Sequence, residues 1–132
     1  MRIDVVTGFP KLMHSPLNES IVKRAQAKGL VEIELHDLRD FTTDKHKTID
    51  DAPYGGGAGM VLKPAPVFAC LESLQSTRQY DEVIYLSADG ERLTQKLANE
   101  LSLKRNLLLL CGHYKGIDER IREALVTREI SI

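Results

Sequence analysis

Apolar residues recur along the chain at two spacings, and these predict alternating strands and helices. Short runs that are apolar, or that alternate apolar with polar, are typical of strands, whereas apolar residues every three or four positions indicate a helix. The strands predicted in this way are residues 3–6, 30–36, 83–86, 106–111 and 129–132. Because helix patterns separate these runs, we expect the α/β class: a mainly parallel sheet with helices on both faces.

Four helices are predicted between the strands. The first has Ser15 as its N-cap, Pro16 at the first helical position and Gly29 as its stop. The apolar residues that define the helical faces are Leu17, Ile21 and Ala25 in the first helix, Val67, Phe68, Leu71 and Leu74 in the second, Leu93, Leu97 and Leu101 in the third, and Ile117, Ile121 and Leu125 in the fourth. Residues 37–63 show neither spacing, and loops of this length in compact domains are usually functional or disordered.

Composition indicates one globular domain. The chain has 132 residues, of which 42% are hydrophobic and 28% charged, and its formal net charge is −1. No overall field therefore attracts nucleic acid, and RNA binding would need a local patch such as Lys45-His46-Lys47 or Lys104-Arg105. No apolar run approaches the roughly 18 residues that span a bilayer, and Asp4 stands where a signal peptide is apolar, so we expect a soluble, cytoplasmic protein.

Several familiar chemistries lack their sequence patterns. The first strand does not run into a dinucleotide-binding glycine turn, residues 55–59 are followed by Met60 rather than by the lysine of a phosphate-binding loop, and no G-x-S-x-G motif occurs. The histidines show no metal-site spacing, so we predict no metal site built into the fold. Cys70 and Cys111 are predicted to be buried thiols. Cys111 and His113 make a poor nucleophile and base, because neighbouring strand-end residues seldom face each other.

A glycine-rich segment lies in the long loop. Residues 55–59 contain four glycines in five positions. This pattern fits either a flexible loop or a backbone in close contact with a flat or charged ligand. Tyr54 and the acids at 50 and 51 would supply the stacking and hydrogen bonds used in RNA base recognition.

A second segment follows the predicted strand at 106–111. The strand runs into Gly112, and a helix is predicted to begin near Gly116 with Asp118 and Glu119 in its first turn, where acids favour the helix dipole. Ligands of parallel α/β sheets bind beyond the carboxyl ends of the strands. Residues 87–90 and 112–116 are predicted to lie at that position here. This segment alone predicts a small-molecule pocket.

Together the two segments and their neighbours resemble a known family over essentially the whole chain. The motifs are Arg39-Asp40-Phe41-Thr42, Asp44-Lys45-His46-Lys47-Thr48, Asp50-Asp51, Pro53-Tyr54-Gly55-Gly56-Gly57 with Gly59-Met60, Val83-Ile84-Tyr85-Leu86-Ser87 with Gly90, and Cys111-Gly112 with Tyr114, followed by Gly116-Ile117-Asp118-Glu119-Arg120. In this order they resemble the bacterial tRNA (guanine-N1)-methyltransferases, a family of the trefoil-knot SPOUT fold in which a parallel sheet ends in a knot that cradles S-adenosylmethionine.

The resemblance implies two groups of site residues. Those implied to bind S-adenosylmethionine are Tyr85, Leu86, Ser87, Gly90, Gly112, Tyr114, Gly116 and Ile132. Those implied to hold the tRNA are Asp50, Tyr54, Gly55, Gly56, Gly57, Ala58 and Gly59. Residues 1–132 then correspond to a truncated S-adenosylmethionine-binding domain without the carboxy-terminal tRNA-binding domain. Because Ile132 matches the first residue of the third knot segment, we expect an incomplete knot and an open sheet.

The resemblance also implies the reaction. The family methylates N1 of guanosine 37, immediately 3′ of the anticodon, as a homodimer and with help from magnesium. Its general base is an aspartate aided by an arginine, both beyond the position of Ile132, so we expect no catalytic residue in this chain and no activity from it alone. The alternative is a non-catalytic nucleotide- or RNA-binding module of the same fold.

The sequence departs from the family pattern beside the expected methyl donor. Ala88 stands where many relatives have proline, and His113 and Lys115 stand where arginine and glutamate are common. The change to lysine reverses a charge, so the family role is not carried over to Lys115. A contact between Lys115 and a tRNA phosphate is the hypothesis that this charge suggests.

Overall fold

The computed structural model describes residues 1–52, 56, 59–113 and 115–132. Its main sheet has five parallel strands, in the spatial order β2-β1-β6-β5-β7. These strands are β1 (Arg2–Thr7), β2 (Glu32–Asp37), β5 (Glu82–Arg92), β6 (Asn106–Cys111) and β7 (Arg128–Ser131). A short antiparallel pair, β3 (Asp50–Asp51) and β4 (Val61–Leu62), lies in the segment predicted to be a long loop.

Helices cover both faces of the sheet, which confirms the predicted α/β class. They are α1 (His14–Leu17), α2 (Ser20–Ala27), α3 (Pro64–Gln75), α4 (Gln95–Ser102) and α5 (Glu119–Leu125). On one face, α3 and α5 pack Leu71 and Ile121 against β-strand residues such as Leu108. On the other face, α4 packs Leu97 against Ile84. Side chains alternate between the two faces of the sheet along each strand, so the apolar ones form two separate cores.

The predicted start of the first helix is wrong, and its predicted end is confirmed. It is divided into α1 and α2, and Ser15 lies inside α1 instead of capping it. The Asn18 amide donates to the carbonyl of His14 at 2.6 Å, a side-chain bond of the kind that competes with helix continuation. Ile21 is 74% exposed. At the other end, Gly29 has φ +73°, and the backbone N–H groups of residues 29 and 30 cap α2 as a Schellman motif does.

Two elements beside the predicted ligand edge also differ from expectation. β5 continues past residue 86 to Arg92, with an irregularity in its pairing with β7 between Leu86 and Glu91. α5 is a short helix, and Asp118 is its N-cap rather than part of its first turn, since the carboxylate accepts a hydrogen bond from the Arg120 N–H at 2.9 Å. The residues that enter α5 are thus fixed before the helix begins.

A buried carboxylate, which the sequence did not single out, joins β1 to its surroundings. Asp4 is fully buried, and Arg2 donates to both of its oxygens at 3.0 and 3.1 Å. His36 Nε2 lies 2.7 Å from Oδ1, while the Tyr80 hydroxyl and Arg78 donate to Oδ2 at 2.6 and 3.2 Å. Although burial opposes ionisation, these donors lower the pKa of Asp4 to about 2.

The cysteines are free thiols, as expected. Cys70 is fully buried and Cys111 is half-buried. Burial raises the pKa of Cys70 to about 12 and also raises the pKa of Cys111. Neither thiol is activated as a nucleophile. Among the described residues, no helix is both long enough and apolar enough to cross a membrane.

Candidate functional site

A cleft of about 280 Å³ opens where β5 and β6 end at the carboxyl edge of the sheet. Its described lining consists of Tyr85, Leu86, Ser87, Ala88, Asp89, Gly112, His113, Lys115, Gly116 and Arg122. A larger groove of about 600 Å³ lies at the amino edge, around Arg2 and Arg105. The smaller cleft is the stronger candidate, because ligands of parallel α/β sheets bind at the carboxyl edge.

Tyr85 forms the floor of this cleft, and two glycines make room for it. Its side chain is 4% exposed, and this burial raises the pKa of its hydroxyl. A Cβ on Gly112 would lie 3.0 Å from the Tyr85 ring, and one on Gly116 would lie 2.9 Å from the Tyr85 hydroxyl. Gly116 also has φ +123°, a conformation that L side chains rarely adopt. The glycine pattern of this segment therefore follows from close packing against one aromatic ring.

A short ladder of backbone hydrogen bonds connects the cleft to the glycine-rich segment. The Lys115 N–H donates to the Met60 carbonyl at 3.1 Å, and the Leu62 N–H donates to the Gly116 carbonyl at 3.0 Å. The Asp118 N–H returns a bond to the Leu62 carbonyl at 3.1 Å, and Leu62 pairs with Ile117 as a parallel bridge. Residues 60–62, which directly follow the glycine-rich segment, are therefore adjacent to residues 115–118 in the fold.

Charged side chains that the sequence reading missed also line the cleft. The Arg122 guanidinium lies 5.6 Å from the centre of the Tyr85 ring, and its Nε contacts Glu129 of β7. Arg122 also donates to Glu119 at 3.0 Å. Asp89 also lines the cleft, and its N–H donates to Ser87 Oγ at 3.1 Å. The sequence carried a signal for Arg122, since it lies one helical turn beyond Asp118.

His113 stacks near the end of the first strand. Its ring centroid is 4.3 Å from that of Phe9, and the Arg39 guanidinium lies 5.3 Å from the Phe9 centroid. Arg39 also donates to the Lys47 carbonyl at 3.2 Å. These contacts connect the cleft, through His113 and Phe9, to residues 39–47.

The remaining predicted site residues lie at several places. Gly90 packs against β7, where a Cβ would lie 2.6 Å from backbone atoms of Glu129 and Ile130, and neither it nor Ile132 is part of the described cleft lining. Asp50 pairs with Leu62 in the β3–β4 hairpin. Gly56 and Gly59 both have positive φ. The predictions at Pro53, Tyr54, Gly55, Gly57, Ala58 and Tyr114 lie outside the described residues.

Tyr85→Phe should destabilise the fold by no more than about 1 kcal/mol, because the Tyr85 hydroxyl forms no hydrogen bond with a charged side chain of the described residues. Tyr80→Phe is the matched comparison, and its loss should be larger because that hydroxyl donates to the Asp4 carboxylate at 2.6 Å. Urea unfolding of the two variants measures both free energies. The reverse order would contradict these assignments.

The fold and the cleft together define an α/β protein with a candidate ligand cleft at the carboxyl edge of a parallel sheet. The family model for tRNA (Guanine-1)-methyltransferase TrmD matches residues 1–132. The chain belongs to this family.

Individual relatives agree with the family match. A tRNA (guanine-N(1)-)-methyltransferase of Flavobacterium psychrophilum is 56% identical over 132 residues, which are 100% of this chain and 59% of the relative. Its counterpart in Azobacteroides pseudotrichonymphae is 58% identical, with 100% of this chain and 60% of the relative covered. The crystal structure of the tRNA (m1G37) methyltransferase from Aquifex aeolicus matches with a TM-score of 0.89 at 40% identity, over 100% of this chain and 59% of that chain. The chain thus spans about three-fifths of these proteins.

Proposed function

We propose that the protein containing this chain is an S-adenosylmethionine-dependent tRNA (guanine-N1)-methyltransferase that modifies guanosine 37. The observation that supports the proposal is the backbone ladder between residues 60–62, which follow the predicted tRNA segment, and residues 115–118, which adjoin the predicted cofactor cleft. Methyl transfer needs donor and acceptor to be held in contact. Family membership over all 132 residues supports the same function.

The described residues fit part of S-adenosylmethionine. Gly112 and Gly116 let the Tyr85 ring pack closely beneath the cleft, and all three residues belong to its lining. Ser87 and the exposed backbone groups of the β5 and β6 ends offer polar partners. At about 280 Å³ the cleft lies at the small end of ligand pockets, so we expect other residues of the whole protein to complete it.

The chemistry assigns separate tasks to the two segments. When bound, S-adenosylmethionine supplies a methyl group on a sulfonium. This methyl group would be transferred to guanine N1, whose proton would pass to a general base. Tyr85, Leu86, Ser87 and Gly112 are proposed to orient the donor, and Asp50 with residues 54–59 to hold the guanosine. The resemblance matches the family's base to none of residues 1–132, so we expect no methyl transfer by these residues alone.

The alternative remains a nucleotide- or RNA-binding module of the same fold. The two readings differ in the complete reading frame that encodes the chain. A frame that continues into a glycine-rich segment, followed by an arginine and an aspartate, supports the enzyme. A stop codon directly after the codon for Ile132 supports the binding module. Homodimer formation and assistance by magnesium stay predictions, for which sedimentation and metal-dependent kinetics are the measurements.

Calorimetric titration with S-adenosylmethionine is expected to show saturable binding by the product of the complete reading frame. Adenosine triphosphate serves as the control ligand, because it carries the same base and sugar without the methionine. Methyl transfer to a tRNA with guanosine at position 37, and not to one with adenosine there, would complete the test. A folded protein that binds no S-adenosylmethionine would overturn the proposed function. Binding without transfer would favour the module.

The same titration on the 132-residue chain separates binding from catalysis. Binding by this chain would mean that the residues around Ser87 and Gly112 suffice for the pocket. Absence of binding in the folded chain, together with binding by the complete product, would mean that further residues complete it. Methyl transfer by the 132-residue chain would contradict the expected inactivity.

A further inference from the structure

Cations of the described cleft differ in whether the protein neutralises them. Arg122 contacts two carboxylates, those of Glu119 and Glu129. Arg120, at the start of the same helix, pairs with Asp118 at 2.8 Å. Lys115 is exposed and lines the cleft, yet it forms no ion pair with a carboxylate in the described ranges 1–52, 56, 59–113 and 115–132. Its charge is therefore available to an anion from outside these residues.

The Lys115 side chain is held against the glycine-rich segment. Its backbone N–H donates to Met60, and its stem crosses Gly59 so closely that a Cβ there would lie 2.8 Å from both Cδ and Cε. Gly59 has φ +88°, which further favours glycine at that position. A lysine stem fixed by packing has already lost much of the rotamer freedom that binding would otherwise remove.

We propose that Lys115 binds a backbone phosphate of the tRNA beside the target guanosine. This inference rests on the proposed function, and it names a substrate contact of the same site. The side chain is exposed, lines the cleft and packs against Gly59, which belongs to the segment proposed to hold the guanosine. A phosphate is the anion that RNA presents there. The other available anion, the carboxylate of the cofactor's methionine, belongs to a ligand whose sulfonium a nearby ammonium would repel.

The test compares Lys115→Met with the unchanged protein, using the product of the complete reading frame. Methionine keeps an unbranched stem over Gly59 and removes the charge. We expect tRNA affinity to fall by about tenfold at low salt, and the salt dependence measured between about 50 and 200 mM to lose roughly one unit of slope. Affinity for S-adenosylmethionine should stay the same. Lys115→Arg should restore both the tRNA affinity and the slope, since it returns the charge.

Lys96→Met is the matched control. Lys96 is an exposed lysine on α4, which covers the opposite face of the sheet, and it lies beside Glu91 and Glu100 rather than in the cleft. Its removal should leave the salt slope unchanged.

Each other outcome overturns the inference in a distinct way. An unchanged slope in Lys115→Met, with tRNA binding intact in the unchanged protein, would overturn the phosphate contact alone. A loss of S-adenosylmethionine affinity in Lys115→Met would assign the lysine to the cofactor's carboxylate instead. If the unchanged protein bound no tRNA, the inference and the proposed function would fall together.

Discussion

Asp4→Asn is expected to destabilise the fold by about 3–5 kcal/mol, the range for breaking a buried ion pair by removing one partner. Asp4 is fully buried and is contacted by Arg2, His36, Arg78 and Tyr80. Asparagine keeps the shape but replaces one accepting oxygen by a donor and removes the charge. Arg2, whose side chain is 16% exposed, would then lose its most buried partner.

Glu34→Gln is the control for this substitution. It removes a carboxylate from the same arginine, but Glu34 is 54% exposed, so we expect a loss within about 1 kcal/mol. Urea unfolding at neutral pH measures both variants. Equal losses would contradict the assignment of the buried carboxylate as the centre of the network.

The Asp4 network also predicts how stability depends on pH. Its carboxyl has a pKa of about 2 in the fold and 3.8 in the reference state, so the unfolded chain binds the proton more readily. The contribution is fully present above pH 3.8 and is lost as the pH falls through the folded pKa, with a size of about 2 kcal/mol. In Asp4→Asn, the free energy of unfolding measured between pH 3.8 and about 2 should lack this pH-dependent contribution. An identical acid dependence in the variant would count against it.

Gly116→Ala should damage both stability and cofactor binding. The new Cβ would lie 2.9 Å from the Tyr85 hydroxyl, and Tyr85 is enclosed too tightly to move freely. A φ of +123° adds backbone strain for any L side chain. Together we expect a loss of about 3–5 kcal/mol, from strain and overpacking combined. S-adenosylmethionine affinity of the complete product should fall by more than about tenfold, which corresponds to about 1.4 kcal/mol of binding free energy.

Gly29→Ala separates strain from steric conflict. Gly29 also has positive φ, at +73°, but no atom lies within 4 Å of its Cβ position. We expect a loss of about 1–2 kcal/mol from the left-handed backbone alone, and unchanged cofactor affinity. Comparable losses of affinity in the two variants would show that the Tyr85 contact is not responsible.

Local sequence patterns predicted most of the fold, because the spacing of apolar residues in a strand or helix depends on which of its faces is buried. Residues 107–111 are uniformly apolar because β6 is central in the sheet, and the structure places the strand at Asn106–Cys111. The first helix was misjudged because one amide at Asn18 competes with the helical bonds, while the apolar spacing continues past it. Apolar spacing predicts a buried helix face, but α2 has no buried residue.

Long-range contacts explain why part of the candidate site could not be predicted. Asp4 and Tyr80 are 76 positions apart, and neither has a local signature that identifies the other. The glycines at 59 and 116 were recognised as unusual, but their partners, Lys115 and Tyr85, are known only from the packed chain. Sequence identified which positions need close approach, whereas the structure identified what approaches them.

The backbone ladder between residues 60–62 and 115–118 has a thermodynamic consequence for a protein with two ligands. Its hydrogen bonds are common to the walls of both proposed binding regions. A ligand that favours the closed ladder from one side reduces the ordering cost that remains for a ligand on the other side. Linkage then requires each ligand to raise the affinity of the other by the same factor. Donor and acceptor would thus promote each other's binding through three hydrogen bonds between backbone groups.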